Sequence, residues 1–423
     1  MNASELIEKL KKGGCDERLR EVYFEGFSAQ KQRLIGLAER FIKEFGDSEE
    51  VGVYSAPGRS EIGGNHTDHQ LGNVIAASIS LDILAVAAPN ETKKVKVLSE
   101  GFSPCEINLS KLSPDKKEAN TTNALIRGVM AAYNNRGYKL GGFNAVTNSE
   151  IPAGSGLSTS AAFEVLIGNI ANSLFANGEI NSTEIAKIGQ FAENEYFMKP
   201  CGLMDQLASS TGGFVAIDFF EPENPVIKRF NFDLQKNGFS LCITNAGGSH
   251  ADLTDEYAAI TNEIKTVCQF FGVRHLSRVD EKEFYSRVGE LREKVSDRAI
   301  TRSIHFFAEN KRAKKEFTAL KNNDISLFLE LVIESGFSSF MYLQNIFPAD
   351  VNERSLSLGL ALSEKLLRGR GAWRVHGGGF AGTFLAFVPL DLTDKYIKEM
   401  NKAFGEGSCR SLSVRPFGGI RLI

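Results

Sequence analysis

The sequence is poor in cysteine, and its cysteines are not closely paired. Six occur, widely scattered and without a Cys-x-x-Cys pair: Cys15, Cys105, Cys201, Cys242, Cys268 and Cys409. We therefore expect no disulfide framework and no zinc site, and a reducing compartment is the simpler interpretation. The first 24 residues are polar and charged and lack the apolar run of a signal peptide. Because no window holds 18 uninterrupted apolar residues, we expect no membrane span and a cytoplasmic protein.

Basic residues are not in excess either. The chain has 49 Lys and Arg against 52 Asp and Glu, for a net charge of −3. Nucleic acids and anionic membranes select basic surfaces, so neither is expected as the main partner. A helix N-terminus together with a metal ion would still be able to hold an anionic small molecule.

The hydrophobic pattern predicts an α+β protein in two segregated halves, as expected for 423 residues. Apolar residues at helical spacing, including Leu34, Leu37 and Phe41, predict an N-terminal helical extension over residues 1–44. The segment Pro-Glu-Asn-Pro at 222–225 interrupts the pattern and indicates a domain junction near residue 220. We therefore expect one domain over 45–220 and a second over 221–423.

A loop rich in glycine and serine at 152–158 opens a long predicted helix that ends near residue 176. Backbone N–H groups of such a loop approach a ligand closely, and the helix directs its positive end at the same point, which suits phosphate. The alternative is that serine and threonine only cap the helix after a turn. No lysine follows the last glycine, so this is not a Walker A loop.

A second polar segment, residues 56–68, connects two predicted strands. It carries Arg59, Asn65, His66 and Asp68, and side chains of these types together are able to satisfy several sugar hydroxyls. Loops on a rigid scaffold often carry binding groups, although a string of this kind is also typical of a polar surface turn. A metal site at His66, Asp68 and His69 lacks a recognised ligand spacing.

Two carboxylates are candidates for chemistry. Asp205 lies among apolar residues in Cys201-Gly-Leu-Met-Asp-Gln206, where a carboxylate needs a partner in order to stay ionised. It is either a general base or a helix cap. Glu193, twelve residues upstream on an amphipathic helix, is either a Mg²⁺ ligand or an ordinary exposed carboxylate.

One glycine motif is interpreted as structural. Residues 377–382, Gly-Gly-Gly-Phe-Ala-Gly, match the pattern G-x-G-x-x-G of dinucleotide-binding folds. A strand follows instead of a helix, so the required strand, turn and helix context is missing. We expect a tight glycine turn that packs against another loop.

Four motifs in fixed order resemble the galactokinase branch of the GHMP kinases, which also include homoserine, mevalonate and phosphomevalonate kinases. They are APGR…GGNHTDH, IPAGSGLSTSAAFE, PCGLMDQ and HGGGFAG, and the resemblance runs from about residue 45 to the C-terminus. It implies a two-domain GHMP kinase fold with the active site between the domains. It also implies ATP-dependent phosphorylation of the anomeric hydroxyl of galactose, with Mg²⁺, a sugar and ATP as the small-molecule partners.

The resemblance implies a role for each matching residue. Asp205 would take the proton from the sugar O1 hydroxyl, and Arg59 would be its cationic neighbour. Ser160 and Glu193 match the Mg²⁺ positions. The sugar ligands would be Asn65, His66, Asp68, Gly202 and Tyr257. The ATP phosphates would be held by Gly154, Ser155, Gly156, Leu157, Ser158, Thr159 and Ser160.

The sugar-binding segment departs from the family pattern. Galactokinases usually have GR-V-N-L-I-G-E-H-T-D-Y where this chain has Gly58-Arg-Ser-Glu-Ile-Gly-Gly-Asn-His-Thr-Asp-His69. Asn65 thus replaces a glutamate that the family places near the sugar C6 hydroxyl, which suggests that a C6-oxidised sugar such as galacturonate is accepted. The alternatives are therefore a galacturonokinase or related sugar 1-kinase and, from another class, a catalytically silent galactose/ATP sensor.

Overall fold

The computed structural model describes residues 1–47, 49–152, 156–247 and 253–423. Its helices and strands form two sheets with helices packed against them, which confirms the α+β prediction. The helices are α1 Ala3–Lys11, α2 Asp16–Tyr23, α3 Phe27–Phe45, α4 Thr122–Asn135, α5 Thr159–Phe175, α6 Ser182–Glu195, α7 Met204–Thr211, α8 Thr254–Phe270, α9 Glu281–Ser286, α10 Val288–Arg292, α11 Asp297–Lys321, α12 Ile325–Ser338, α13 Ser355–Leu367 and α14 Thr393–Phe404. The strands are β1 Gly52–Gly63, β2 Asn73–Asn90, β3 Lys94–Ser99, β4 Cys105–Asn108, β5 Gly142–Ser149, β6 Phe214–Asp218, β7 Val226–Phe230, β8 Phe239–Asn245, β9 Ala372–Val375, β10 Thr383–Pro389, β11 Cys409–Leu412 and β12 Ile420–Arg421.

The first sheet is built around the long antiparallel pair β1 and β2. Its strands follow the order β12-β1-β2-β5-β3-β4, and β6 pairs with both β2 and β7. The last strand, β12, returns from the C-terminus to pair with β1, where Tyr54 faces Arg421. The register of β1 against β2 shifts between Pro57 and Arg59 and again between Glu61 and Gly63. These irregularities bend the strand where it carries its polar residues.

Helices cover both faces of this sheet. Since the side chains of a strand alternate between the faces, apolar residues on either face are buried. On one face, Val53 and Val86 pack with Leu6, Leu34 and Phe41 of the N-terminal helices. The other face packs against helices α4 and α5. The predicted N-terminal extension is therefore helical and forms part of the core.

The predicted junction near residue 220 falls inside the first sheet. β6 and β7 pair antiparallel, with Phe214 opposite Phe230 and Asp218 opposite Val226. The Pro-Glu-Asn-Pro segment is thus the turn of a hairpin. The chain leaves this sheet only after Phe230 and enters the second sheet at Phe239.

The second sheet has the strand order β11-β8-β10-β9. Helices α13 and α14 pack on it through Leu356, Tyr396 and Met400. In the described part of the chain, one helical stretch, Ile325–Leu343, has the length and apolar composition of a membrane span. Its Phe328 packs edge-on against Phe387 of the sheet, with the ring centroids 4.9 Å apart, so part of this stretch belongs to the protein core.

Candidate active site

Arg59 and Asp205 form the centre of the site. Arg59 lies within β1, directly after its first register shift, and Asp205 lies in the first turn of α7. The guanidinium binds both carboxylate oxygens, with Nε 2.6 Å from Oδ1 and Nη2 2.7 Å from Oδ2. Burial disfavours the charge on Arg59, but the Asp205 carboxylate outweighs burial and raises the pKa of Arg59. The Asp205 side chain is 31% exposed, so this ion pair presents a carboxylate to the solvent.

The described end of the glycine-rich loop lies against this pair. Arg59 Nη1 donates to the carbonyl of Gly156, and its backbone N–H donates to the carbonyl of Leu157 at 3.1 Å. Ser158 adopts the left-handed conformation, with φ 57°, and makes no side-chain cap of α5. Its hydroxyl donates to Asp205 Oδ2 instead. This bond favours a role in the site over simple helix capping; Gly154 and Ser155 lie outside the described residues.

Behind the loop lie two glutamates and the glutamine that joins them, Glu164, Glu193 and Gln206, which we call the phosphate-side cluster. Ser160 Oγ, next to Thr159 in the first turn of α5, is 3.2 Å from Glu193 Oε1. The Gln206 amide donates to Glu193 Oε2 at 2.8 Å and to Glu164 Oε2 at 2.9 Å. Burial, aided by the charge on Glu193, raises the pKa of Glu164 well above its usual range. Glu193 is itself only 3% exposed, which excludes an ordinary surface carboxylate.

The loop between β1 and β2, residues 64–72, contains the end of the predicted segment 56–68 and is called the sugar loop below. It brings Asp68 against the Cys201-Gly-Leu-Met-Asp-Gln206 motif. A Cβ atom on Gly202 would lie 2.7 Å from Asp68 Oδ2, so a glycine is required for this approach. Burial opposes the charge on Asp68, but the neighbouring His69, whose Nδ1 lies 3.8 Å from Asp68 Oδ1, outweighs burial and lowers the pKa of Asp68. Burial also lowers the pKa of His66 to about 4, so this imidazole is neutral at pH 7.

The glycine cluster at 377–379 packs against the sugar loop. His66 Nε2 lies 2.9 Å from the carbonyl of Gly378, and the Tyr257 hydroxyl donates to the carbonyl of Gly379 at 3.0 Å. A Cβ atom on Gly378 would lie 2.5 Å from Tyr257 Cε1. Gly377 and Gly379 both adopt positive φ. The interpretation as a tight turn packed against other elements is therefore confirmed.

Asn65 does not occupy the position that the sequence predicts for a sugar ligand. Its side chain is completely buried, and protein groups bind both its Oδ1 and its Nδ2. We refer to Glu61, Asn65, Glu309 and Arg374 as the sugar-side cluster. In it, Arg374 Nη1 binds Glu61 Oε1 at 3.0 Å, and Arg312 pairs with Glu309. The polar atoms of the Asn65 side chain are thus bound by the protein itself, which argues against a contact with a C6 carboxylate.

Sequence reasoning assigned no role to Gln206, Glu164, Glu61 or Arg374. Glu61, Glu164 and Gln206 lie inside the quoted motifs, so their positions were indicated but not their partners. Arg374 precedes the glycine cluster by three residues, and only its complete burial identifies it.

Two surface grooves lie elsewhere. One, of about 1280 Å³, is lined by the N-terminal extension and by the segment between β7 and β8, including Phe24, Phe27 and Lys236. The other, of about 740 Å³, lies between α12 and β9, with Phe337 and Trp373 among its residues. Neither includes a predicted site residue, so the site is identified by its polar groups and not by its size.

Two family models match the chain. Residues 39–89 match the galactokinase galactose-binding signature, and residues 123–213 match the GHMP kinases N terminal domain. The first covers the sugar loop, and the second covers the glycine-rich loop at 152–158, Glu193 and Asp205. Both matches therefore fall on the residues that the fold brings together.

Relatives and solved structures agree over most of the chain. A galactokinase of Glaesserella parasuis serovar 5 is 30% identical over 357 residues, covering 83% of this chain and 88% of that protein. A galactokinase of Clostridium acetobutylicum is 29% identical and covers 88% of this chain and 94% of that protein. The crystal structure of Lactococcus lactis galactokinase complexed with galactose superposes with a TM-score of 0.77 at 25% identity. The match covers 90% of this chain and 98% of that chain. This chain belongs to the galactokinase family.

Proposed function

We propose that this enzyme transfers the γ-phosphoryl group of ATP to the C1 hydroxyl of galactose, giving galactose 1-phosphate and ADP. The observation that carries the proposal is the position of Asp205. Its carboxylate is held by Arg59, touches the phosphate loop through Ser158, and remains partly exposed. One carboxylate therefore lies between a loop suited to phosphate and a loop suited to a sugar.

Asp205 would accept the proton of the sugar O1 hydroxyl as O1 attacks the γ-phosphorus. Arg59 fixes the carboxylate through two hydrogen bonds, and a bidentate pair of this kind sets the orientation as well as the distance. Its charge also faces the point where negative charge accumulates on the transferring group. In phosphoryl transfer, positioning and electrostatic stabilisation supply most of the rate enhancement.

The ATP phosphates would bind at the N-terminus of α5. This helix runs from Thr159 to Phe175, and its first N–H groups are available to an anion. Ser158 and Thr159 add hydroxyl groups. The remainder of the loop, 154–157, would supply backbone N–H groups to the same phosphates.

Ser160 and Glu193 have the donor atoms that Mg²⁺ requires. A hydroxyl and a carboxylate oxygen lie 3.2 Å apart beside the phosphate loop, and Mg²⁺ in kinases usually takes one or two protein ligands in addition to substrate phosphates. When bound, the ion would neutralise charge on the ATP phosphates. Glu193 fits this role because a buried carboxylate needs a nearby cation.

The sugar would bind between Asp205 and the glycine cluster, in contact with His66, Asp68, Gly202 and Tyr257. Because His66 Nε2 donates its proton to the Gly378 carbonyl, Nδ1 of the neutral ring and the carboxylate of Asp68 would both accept hydrogen bonds from sugar hydroxyls. The similarity to galactokinases favours galactose, and neither the galacturonate alternative nor the silent sensor gains support. We further propose that the catalytic half of the chain ends after β7, with the second domain beginning near Phe239.

The test is a coupled assay with ATP and Mg²⁺ on galactose, galacturonate, glucose, N-acetylgalactosamine and arabinose, using the wild type and Asp205→Asn. We expect galactose 1-phosphate from the wild type. Loss of the general base should lower kcat by about 10²- to 10⁴-fold while sugar binding persists. Asp394→Asn, the same change in the exposed first turn of α14, is the control and should retain full activity. Turnover of another sugar alone, or equal activity of both variants, would contradict the proposal.

A further inference from the structure

The sugar loop has a backbone shape that it would not keep without support. His66 adopts φ 58° and the preceding Gly64 adopts φ 82°. A left-handed conformation is unfavourable for a histidine and persists where surrounding contacts enforce it. Between these two residues lies Asn65, so the contacts of Asn65 decide how the loop is held.

The side chain of Asn65 bonds to three separate elements. Its Nδ2 donates to Glu61 Oε1 at 2.9 Å and to the carbonyl of Gly377 at 2.7 Å. Its Oδ1 accepts from Asn345 Nδ2 at 3.1 Å and from Ser339 Oγ at 3.3 Å. These bonds use the two donors and two acceptor positions of the amide. The side chain has no exposed surface, so it has no free group to offer to a sugar.

The backbone of Asn65 is bound by helix α11. Its N–H donates to Glu309 Oε1 at 3.2 Å, and its carbonyl lies 3.0 Å from His305 Nε2. Because a carbonyl only accepts, this nitrogen carries the proton, and Nδ1 accepts from Ser338 Oγ at 2.8 Å. Burial lowers the pKa of His305, which agrees with a neutral ring in this tautomer.

Every partner of Asn65 except Glu61 comes from the C-terminal half of the chain. The loop that carries His66 and Asp68 is therefore fastened to α11, to Ser339 and Asn345 after α12, and to the glycine cluster. Displacing Asn65 would move His66, whose Nε2 contacts the neighbouring Gly378 carbonyl. Asn65 is thus one of the points at which the second half of the protein holds the sugar loop, together with His66 and with Gln70, which accepts from the Leu276 N–H at 2.9 Å.

We propose that Asn65 is a positioning residue for galactose, which fixes His66 and Asp68 against the C-terminal half of the chain and does not itself contact the sugar. The proposal rests on the proposed function, because it concerns the sugar site of the galactose kinase. It replaces the hypothesis that Asn65 recognises the C6 substituent of the sugar by direct contact. A contact with C6 and a positioning role make different predictions for a sugar that lacks the C6 hydroxyl.

The experiment compares galactose with 6-deoxygalactose in the wild type and in Asn65→Ala. For each protein, the dissociation constants of both sugars are measured by calorimetry, and KM for galactose and for ATP by kinetics. We expect both sugars to weaken by the same factor, on the order of tenfold to a hundredfold, because a misplaced loop affects every sugar contact. The KM for ATP should change far less. A loss confined to galactose, with 6-deoxygalactose unaffected, would establish a direct C6 contact and overturn the proposal.

Two further variants separate positioning from a general loss of stability. Asn172 is a buried amide that bonds only within the N-terminal half, to the backbone of Ile180, and Asn172→Ala should lower the melting temperature without changing either sugar affinity. Ser339→Ala removes a single partner of Asn65 and should reproduce the effect of Asn65→Ala in weaker form. Weakened sugar binding in Asn172→Ala equal to that in Asn65→Ala would overturn the proposal.

Hydrogen exchange provides a measurement that does not depend on catalysis. In the unliganded protein, amides of residues 63–68 should exchange faster in Asn65→Ala than in the wild type, while those of α5 stay unchanged. Unaltered exchange in the loop would overturn the positioning role even if the sugar affinities fall. A wild type that shows this protection but does not phosphorylate galactose would contradict the proposed function alone.

Discussion

The two buried clusters that flank Asp205 differ in how their charges are matched. In the sugar-side cluster, Glu61 faces Arg374 at 3.0 Å and Glu309 pairs with Arg312, so each of these two anions has its own buried or nearly buried cation. In the phosphate-side cluster, two carboxylates share the amide of Gln206. The cation closest to Glu193 in the described residues is Lys199, 3.4 Å away, and its side chain is 61% exposed.

This difference separates a structural cluster from a ligand site. A buried ion pair holds elements in place, and its two charges already compensate each other. A buried carboxylate without a buried cation is suited to a metal ion that arrives with its substrate. The sugar side is therefore assembled before ligands bind, whereas we expect the phosphate side to be completed by Mg²⁺ and ATP.

The largest expected effect comes from unpairing the sugar-side cluster with Glu61→Ala. Arg374 is completely buried, and removing its partner leaves an uncompensated charge in the interior. We expect the free energy of unfolding to fall by about 3–5 kcal/mol, measured by urea denaturation. Glu106→Ala, which breaks the exposed pair with Lys94, is the control and should cost at most about 1 kcal/mol. A similar small cost for Glu61→Ala would mean that the cluster is not a structural ion pair.

The second prediction concerns the carboxylates of the phosphate-side cluster. Glu193→Gln should raise the Mg²⁺ concentration needed for half-maximal ATP binding by at least about tenfold, since even outer-shell changes commonly cost 10- to 100-fold. Glu164→Gln is the matched control. Burial raises the pKa of Glu164 well above its usual range, so an amide closely resembles the neutral acid. Titration calorimetry with ATP at varied Mg²⁺ distinguishes the two variants. An equal rise of the Mg²⁺ requirement in both would mean that both residues hold the ion.

Local patterns predicted the elements of this fold better than the junction between its halves. The helical spacing of Leu34, Leu37 and Phe41 depends on neighbouring residues only, and α3 follows it from Phe27 to Phe45. The turn chemistry of Pro222 and Pro225 is equally local, and it correctly indicates a turn. Whether the strands on both sides of that turn pair in one sheet depends on distant residues, so the sequence alone could not decide it.

The candidate site shows the same limit. The order of the motifs was sufficient to associate Arg59 with Asp205, although 146 residues separate them. The burial of Asn65 was not predictable, because its partners Ser339 and Gly377 lie 274 and 312 residues further along the chain. A polar residue in a ligand-binding motif looks the same in sequence whether it faces the ligand or supports the loop from behind.

The third prediction is a pH dependence on the sugar side. Glu316 is completely buried in α11, neither of its carboxylate oxygens has a hydrogen-bond partner, and burial together with the charge on Glu309 raises its pKa well above the usual range. The folded protein therefore holds this proton to a higher pH than the unfolded chain does. Stability therefore falls as pH rises above about 4.3, by about 1.4 kcal/mol per pH unit for one proton, until the pKa of the folded state is passed.

Glu316→Gln removes this titration, so its stability relative to the wild type should increase steadily with pH. Urea denaturation at intervals between pH 5 and pH 8 measures the trend. The control is Glu330→Gln, a change at an exposed position of α12, which should follow the wild-type curve. Parallel curves for Glu316→Gln and the wild type would show that Glu316 is ionised in the folded protein.

The smallest expected effect concerns Lys199, an exposed cation of the phosphate side. Lys199 Nζ lies 3.4 Å from Glu193 Oε1, so it competes with Mg²⁺ for that carboxylate. Lys199→Met should lower the Mg²⁺ concentration needed for half-maximal ATP binding, by at most about fivefold, because an exposed ion pair contributes only about 0.2–1 kcal/mol. Lys187→Met, which removes an exposed pair with Glu184 on the same helix as Glu193, should change nothing. If Lys199→Met instead raises the Mg²⁺ requirement, the lysine assists nucleotide binding directly. The two clusters would then not differ in their charge balance.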